Sequence, residues 1–500
     1  MVAFFVVLWQ HDTKRSKTVV TGEEKQRVMN PQEEYQYFLR EFLLPIIGIS
    51  RNNNVQLVSP ITQTPQRGRK KTYIRQENNT LFFSNKSTDL CFIKDWPTIV
   101  DKDTLAIGEK IIGAFMQVSQ YYYNKGQTKT RISYASETIR TQNYRLAIQK
   151  GVCDWVSYRN EAFYELLQKF EEWSVRTYEG KKVTYGFIFD PHASSTLPEN
   201  SYGKWLDFVS DDYSATLTDC IHSVIRLDSN CSFSEYISLT KDHKFKPLDL
   251  SSKLPYRFAQ IIQTQVVGDC VGVFLLSNGD IILSKNQKIQ LIKRNLQWLN
   301  LSYDAFANTI DSKVKSLSGI GDLLPQIYAS TLDVSFAHTG GIIAVITDGS
   351  KLEGILSLCD NLLNGLSLEE IGEILKREEE KKKKPLAAES PTEEEKGFSP
   401  DITKRLFKRA VIQSLIQDQP FKMVDRKLRT ELISMDGACI LTQDGRICSV
   451  GAIIQNDSGS SGGGRSAAAK KLSNFGLAIK ISTDGYIELF VNNETVYCIR

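Results

Sequence analysis

The nine cysteines of this 500-residue chain include no CxxC pair, and that absence removes several classes of protein. Cys91, Cys153, Cys220, Cys231, Cys270, Cys359, Cys439, Cys448 and Cys498 are scattered, so they build neither a zinc cage nor a disulfide framework. Reduced cysteines, mostly in the core of a cytoplasmic protein, are the expectation. Long apolar runs are missing too. The run from Val2 to Trp9 stops at Gln10-His11-Asp12, too short for a bilayer and without the basic flank or cleavage site of a leader. It reads as a first strand of a soluble protein with no membrane partner. An excess of one charge is also lacking. Sixty-two Lys and Arg against 58 Asp and Glu leave a net +4, which argues against nucleic-acid binding through bulk charge.

What is present is ordinary globular composition, 41% hydrophobic and 24% charged. The length exceeds one core, so two or three domains are expected. In the first part, residues 31–48 carry Tyr35, Phe38, Leu39, Phe42, Leu43 and Ile46 at helical spacing, ended or kinked by Pro45. Arg67-Gly68-Arg69-Lys70-Lys71 is a basic run that reads as a solvated loop or a phosphate contact. Leu105–Tyr123 and Glu161–Val175 predict helices, and Val183–Phe189 a strand. The basic stretch from Lys125 to Arg131 follows three tyrosines, a pattern shared by nucleic-acid surfaces and plain helix ends.

Thr218-Asp219-Cys220-Ile221-His222 offers metal-ligand chemistry, but its alternation also fits a strand. Ser277-Asn278-Gly279-Asp280, between the apolar runs Val266–Leu276 and Ile281–Leu283, is a hairpin signal. Trp298, Leu301, Phe306 and Ile310 predict a connecting helix.

From about Leu317 strand and helix alternate. Leu323–Leu332 and Leu366–Leu375 predict helices, and Gly340–Ile346 a strand buried on both faces. The charge block from Arg377 to Glu395 lacks the apolar surface to order itself, so residues 377–399 are expected to be a disordered insert. Asp401–Ile416 resumes as helix.

The densest chemistry lies near the C-terminus. Asp436-Gly437-Ala438 places an acid and a bare backbone at the start of a strand. The glycine loop Ser458–Gly464 opens into a helix at Arg465-Ser466-Ala467-Ala468-Ala469. Glycines let backbone approach a ligand, and a helix start offers free N–H groups and a positive dipole end to phosphates. An arginine there can fork onto phosphate oxygens, and an aspartate can hold a divalent ion. Taken singly these features are also ordinary turns and linkers; Asp348-Gly349, Asp444-Gly445 and Asp484-Gly485 are further Asp-Gly pairs.

In order and spacing, residues 318–500 resemble the diadenylate cyclase (DAC) domain family. That family carries an Asp-Gly-Ala motif and a Gly-Thr-Arg-His-Arg motif followed by Ala-Ala and Leu-Ser. Gly340–Ile346 is similar to its early strand, and Lys480-Ile481-Ser482-Thr483-Asp484-Gly485 to its late turn. The family threonine falls on Gly464, its histidine on Ser466 and its second arginine on Ala467. The whole chain is similar to members with an N-terminal sensor module.

The resemblance implies a fold and a reaction. The fold is α/β with mixed α+β character: a mixed sheet flanked by helices. Two such domains face each other, at least as a dimer, each holding one ATP, and each 3′-hydroxyl attacks the partner α-phosphate to give cyclic di-AMP and two pyrophosphates. By position, Asp436 would be catalytic and bind Mg²⁺ or Mn²⁺, with Asp484 as a further metal ligand. Gly437, Ala438, Gly463, Gly464, Arg465 and Ser466 would bind nucleotide. The expected layout is a sensor region over residues 1–300 with a break near 180–255 and an unknown signal, a connector over 301–317, and the cyclase-like domain over 318–500. The other reading is a catalytically silent domain that binds ATP or a cyclic dinucleotide.

Overall fold

The computed structural model describes residues 31–49, 73–77, 80–84, 89–93, 100–124, 137–156, 161–178, 180–194, 217–239, 253–301, 303–313, 320–347, 355–357, 359–383, 400–454 and 463–499. The Val2–Trp9 run, both basic stretches and most of the glycine loop lie outside them. The chain is mixed α/β, with helices against mixed sheets.

The first helix, α1 (Pro31–Phe38), passes through a π-helical turn, Leu39–Leu43, and a last turn, Leu44–Ile46. Pro45 stands at the start of that short last segment, which directly follows the π-helical turn. A small sheet follows, β1 (Ile74–Glu77), β2 (Thr80–Ser84) and β3 (Asp89–Ile93). Next come α2 (Lys102–Asn124), α3 (Glu137–Trp155) and α4 (Glu161–Trp173). Phe163, Leu166, Leu167, Phe170 and Trp173 give α4 a buried stripe at helical spacing. Burying each such side chain contributes roughly 1.5–3 kcal/mol.

After the short pair β4 (Thr177–Tyr178) and β5 (Lys181–Lys182) comes the first large sheet. It holds β6 (Tyr185–Phe189), β7 (Ser223–Leu227), β8 (Phe233–Ser238), β9 (Val271–Leu275), β10 (Ile281–Lys285), β11 (Lys288–Arg294) and β12 (Gln297–Asn300), with α5 (Tyr256–Gln265) between β8 and β9. Its strand order is β12-β11-β10-β9-β6-β7-β8, with β6 and β7 parallel.

Helices α6 (Tyr303–Lys313) and α7 (Leu324–Ala337) lead to the second sheet. This comprises β13 (Gly341–Ile346), β14 (Ala438–Thr442), β15 (Ile447–Ala452), β16 (Gly476–Ile481), β17 (Ile487–Val491) and β18 (Glu494–Ile499). Between β13 and β14 lie α8 (Leu368–Lys383), α9 (Pro400–Ile416) and α10 (Arg426–Ser434), and α11 (Gly463–Ser473) joins β15 to β16.

The second sheet repeats the connectivity of the first. Its order, β18-β17-β16-β13-β14-β15, again has one parallel pair, β13 with β14, flanked by antiparallel neighbours. A helix precedes the first strand of each (α4, α7), and another joins the third to the fourth (α5, α11). The registers also coincide. Tyr185 opposite Leu275 and Phe187 opposite Ile225 match Gly341 opposite Ile481 and Ile343 opposite Cys439.

The two units share one interior. One core cluster runs from Ile188 and Phe274 of the first sheet, through Phe258, Ile262 and Ile327, to Ile343 and Leu441 of the second. The boundary expected near residues 300–318 is therefore a boundary between sheets, with continuous packing across it. A buried ion pair lies in this shared layer. Arg426 Nε donates to Asp333 Oδ2 at 2.7 Å, Tyr256 N donates to Asp333 Oδ1 at 2.6 Å, and Arg426 also reaches Leu254 O. Burial pushes the Asp333 carboxyl up, while Arg426 pulls it back. Asp333→Ala leaves the buried Arg426 charge without its carboxylate. It is expected to cost about 3–5 kcal/mol, read as a shifted urea midpoint.

Several elements differ from the sequence reading. Trp298 lies in strand β12 and Leu301 just beyond it, so the helix starts only at Tyr303. The hairpin begins at Val271, because residues through Gln265 continue α5. Residues 377–383 of the expected insert extend α8, where Arg377 pairs with Glu373 one turn back at 3.3 Å. Residues 384–399 lie outside the described ones.

Asp219-Cys220-Ile221-His222 forms a loop and not a strand. The Asp219 carboxylate accepts the backbone N–H of Ile221, His222 and Ser223 and contacts His222 Nδ1 at 2.8 Å. Partial burial raises the Asp219 pKa, but those bonds outweigh it and bring the group from 3.8 down to about 2. A carboxylate depressed in the fold stabilises above its ordinary value, and that contribution disappears as pH falls through about 2. Asp219→Asn should therefore show a shallower loss of thermal stability than wild type between neutral pH and strong acid.

Eight of the described cysteines are free thiols, six of them buried. Burial pushes Cys439 up to about 12.

Candidate functional site

The antiparallel and parallel pairings of the second sheet bring several loops to one edge. Strand β13 begins at Gly341 beside the end of β16 at Ile481, and β14 begins at Ala438 beside the end of β15 at Ala452. The rim therefore collects His338-Thr339-Gly340, Met435-Asp436-Gly437, the end of β15 and the turn Ser482–Tyr486. The N-terminus of α11 arrives at the same rim through Arg465.

Gly340 is the point where these elements meet. Its φ is +70°, and a Cβ there would overlap Arg465 Nη1, 3.2 Å from Arg465 Cζ and 3.2 Å from Thr483 Cγ2. The guanidinium thus lies against bare backbone, beside the turn that carries Asp484. The neighbouring Thr339 hydroxyl is 2.6 Å from Ser434 Oγ, which ties this wall to the end of α10, two residues before Asp436.

Asp436 is aimed by its surroundings. Helix α10 is capped by Asp425, whose carboxylate accepts from Lys427 N and Leu428 N. The helix stops at Ser434, and Met435 turns extended. Gly437 follows with φ +105°, its Cα so close to β15 that a Cβ would sit 2.7 Å from the Ala452 and Gly451 oxygens. Gly451 itself has φ +64°. Lys408 Nζ donates to Gly451 O at 2.8 Å and pairs with Asp360 at 3.2 Å, bolting this elbow to α9. Asp436 is left exposed at the rim.

Helix α11 approaches the sheet closely because Ala468 and Ala469 are small, and with Leu472 they pack on Ile342, Ala344 and Ala438. That packing decides which residues face the mouth. Gly463 and Gly464 are exposed at the helix start, Arg465 is half-buried, and Ser466 is 7% exposed and faces inward. Gly463, Gly464, Arg465, Asp436 and Gly437 thus lie on or beside the rim, whereas Ala438 is buried in β14. Asp484 is exposed in the turn, next to Thr483.

The sequence reading missed Gly340, His338, Thr339 and Lys408 as site residues. A Gly-Gly pair before an apolar run was the available signal for the first. His338 is held by the fold of both units. Its Nδ1 lies 2.8 Å from Thr483 O, which can only accept, so Nδ1 carries the proton and Nε2 accepts from Asn278 Nδ2. Arg294 binds Asp280 and donates to Gly485 O, which Ser335 Oγ also reaches at 2.6 Å. The first sheet therefore braces the turn that carries Asp484.

Metal fit can be judged from these donors. Among the described residues no group of three or more His, Cys, Asp or Glu could hold an ion. A single exposed carboxylate is nonetheless a fitting ligand for Mg²⁺, which keeps several waters and shares its shell with phosphates. No helix among the described residues is long and apolar enough to cross a membrane. Set against protein-family models, curated proteins and solved structures, the chain has no match.

Proposed function

We propose that the second unit binds ATP at this rim and condenses two ATP into cyclic di-AMP or a related cyclic dinucleotide, releasing pyrophosphate. The observation that carries this reading is the meeting of Arg465, Gly340 and the Asp436-Gly437 elbow on one sheet edge. Arg465 and the backbone at the start of α11 would hold phosphate oxygens. Gly340 lets the Arg465 guanidinium lie against the backbone, and Gly437 lets the elbow that carries Asp436 close on β15. Asp436 would accept the proton of the attacking 3′-hydroxyl and, with waters, hold Mg²⁺ or Mn²⁺. The ion, when bound, neutralises charge developing on the transferred phosphoryl group.

One nucleotide per unit requires a second copy of the chain. Phe407, Val411 and Leu415 form an exposed apolar stripe at four-residue spacing on α9, the helix whose Lys408 bolts the rim. We assign self-association to that face. Leu415→Lys is expected to shift the protein toward monomer in sedimentation velocity and to lower turnover without weakening ATP binding.

A second reading is favoured by Ser466 and Ala467. Ser466 faces inward and Ala467 carries no charge, so Arg465 is the one cation of the motif at the mouth. Such a unit would bind ATP or a cyclic dinucleotide without turning it over. Mass spectrometry of products from ATP with Mn²⁺, alongside calorimetry, separates the two. Dinucleotide from wild type and none from Asp436→Asn supports the cyclase. Binding without product supports the sensor, and neither binding nor product rejects both.

A further inference from the structure

A cavity of about 640 Å³ opens in the first unit, between α1, α3, α4 and the β11–β12 hairpin. That is the size of small-molecule sites, which fall in the range of roughly 300–1,000 Å³. Its apolar wall includes Phe42, Leu146 and Trp298. Its charged groups are Lys293 and Arg145 against Glu171 and Glu41.

Lys293 is 7% exposed, bound to Glu171 and, at 3.1 Å, to Gln149 Oε1. Glu171 is thus committed to Lys293. Trp298, 5% exposed, has an indole N–H with no partner, and Lys293 Nζ lies 5.5 Å from its ring. The cations and carboxylates of the wall are equal in number, and the orphan indole N–H adds a donor without an acceptor beside an aromatic surface. Desolvation lowers the Lys293 pKa, Glu171 raises it part of the way back, and the charge of Arg145 opposes Glu171. An added anion would offset the charge of Arg145 beside that ammonium.

The hairpin that closes this cavity also touches the candidate site. Lys293, Leu296, Gln297 and Trp298 line the cavity, whereas the intervening Arg294 binds Gly485 O and Asn295 binds the Tyr486 hydroxyl. Asn295 and Leu296 turn with φ of +48° and +64°, a tight two-residue hairpin with little slack. A displacement on the cavity side therefore has a short covalent route to the Ser482–Tyr486 turn.

We propose that this cavity is an effector site for a small organic anion with a flat apolar body, and that the β11–β12 hairpin carries its occupancy to the Ser482–Tyr486 turn. The regulatory meaning rests on the reading of that turn as part of the nucleotide mouth. The binding and the coupling do not. Anionic recognition falls to Arg145, Lys293 and the Trp298 N–H, and the apolar body lies on Phe42, Leu146 and the indole. Coupling of this kind is reciprocal, so ATP at the rim and anion in the cavity alter each other's affinity by the same factor.

The test uses the full chain and 8-anilinonaphthalene-1-sulfonate, an aromatic anion whose fluorescence rises on apolar binding. One saturable site is expected. Arg145→Glu and Leu146→Trp, both at exposed positions, should each weaken it tenfold or more with circular dichroism unchanged. Hydrogen exchange of peptides spanning 482–486 should slow when the probe binds, and Asn295→Ala should reduce that effect. Absent binding, or binding that both cavity variants leave intact, overturns the site. Binding without any change at 482–486 overturns the coupling. Neither readout needs nucleotide, so a failure to bind ATP rejects only the nucleotide reading.

Discussion

Gly437→Ala is expected to cost about 3 kcal/mol or more and to abolish ATP binding. A φ of +105° strains any residue with a Cβ, at roughly 1–3 kcal/mol. The second part of the cost is steric. The new methyl would sit 2.7 Å from the backbone oxygens of Gly451 and Ala452, and backbone cannot swing aside as a side chain can. Relief requires opening the pairing of Ala438 with Ala452, which displaces Asp436 from the rim. Urea unfolding reads the stability loss, and calorimetry at a temperature where the variant stays folded reads the binding. A variant as stable as wild type would mean that the elbow is not built as described.

The second large effect is expected at Arg465. Arg465→Ala should weaken ATP binding by about ten- to a hundredfold, since a hydrogen bond to a charged group contributes roughly 1.5–3 kcal/mol. The fold should change little, because the side chain lies at a helix start on an open rim. Gly340→Ala provides the matching control. Its methyl would overlap Arg465 Nη1, the far end of a flexible side chain, so the guanidinium can move away. It should therefore mimic Arg465→Ala in ATP binding, with a modest added cost for φ +70°. If Gly340→Ala binds ATP normally, Arg465 does not act from the position it occupies against Gly340.

How much of this could be read beforehand depended on range. Gly341–Ile346 was legible as a buried strand because six consecutive apolar or small residues fit little else. The helices at Glu161 and Pro400 were legible from their stripes, and the turn at Asp484 from its glycine. The helix after the glycine loop was legible too, though it starts at Gly463, two residues before Arg465, and Ala438 is buried in β14. What failed were residues whose state is set by distant partners. Trp298 follows helical spacing with Leu301 and Phe306, but pairing of β12 with β11 claims it for a strand. Asp219 and His222 alternate like a strand, yet the Asp219 carboxylate captures the local N–H groups first. Arg294 is 191 residues from Gly485, and no local pattern announces such a contact. The repeat of strand order was also hidden, because sheet topology is kept by register and burial and not by shared motifs.

That repeat has a consequence for how the chain divides its work. Aligning the two registers sets Thr184 in the place of Gly340, His222 in the place of Asp436 and Ser223 in the place of Gly437. Each of these three positions carries a bonded side chain in the first unit. The Thr184 hydroxyl donates to Thr218 O at 3.0 Å, His222 Nδ1 contacts the Asp219 carboxylate, and the Ser223 hydroxyl donates to it at 3.3 Å. The first sheet also braces the second, through Arg294 on Gly485 O and Asn295 on the Tyr486 hydroxyl. Two sheets of one topology thus take different parts in the fold: at these positions one edge is tied by side-chain bonds and serves as a brace, and the other keeps an exposed acid between glycines.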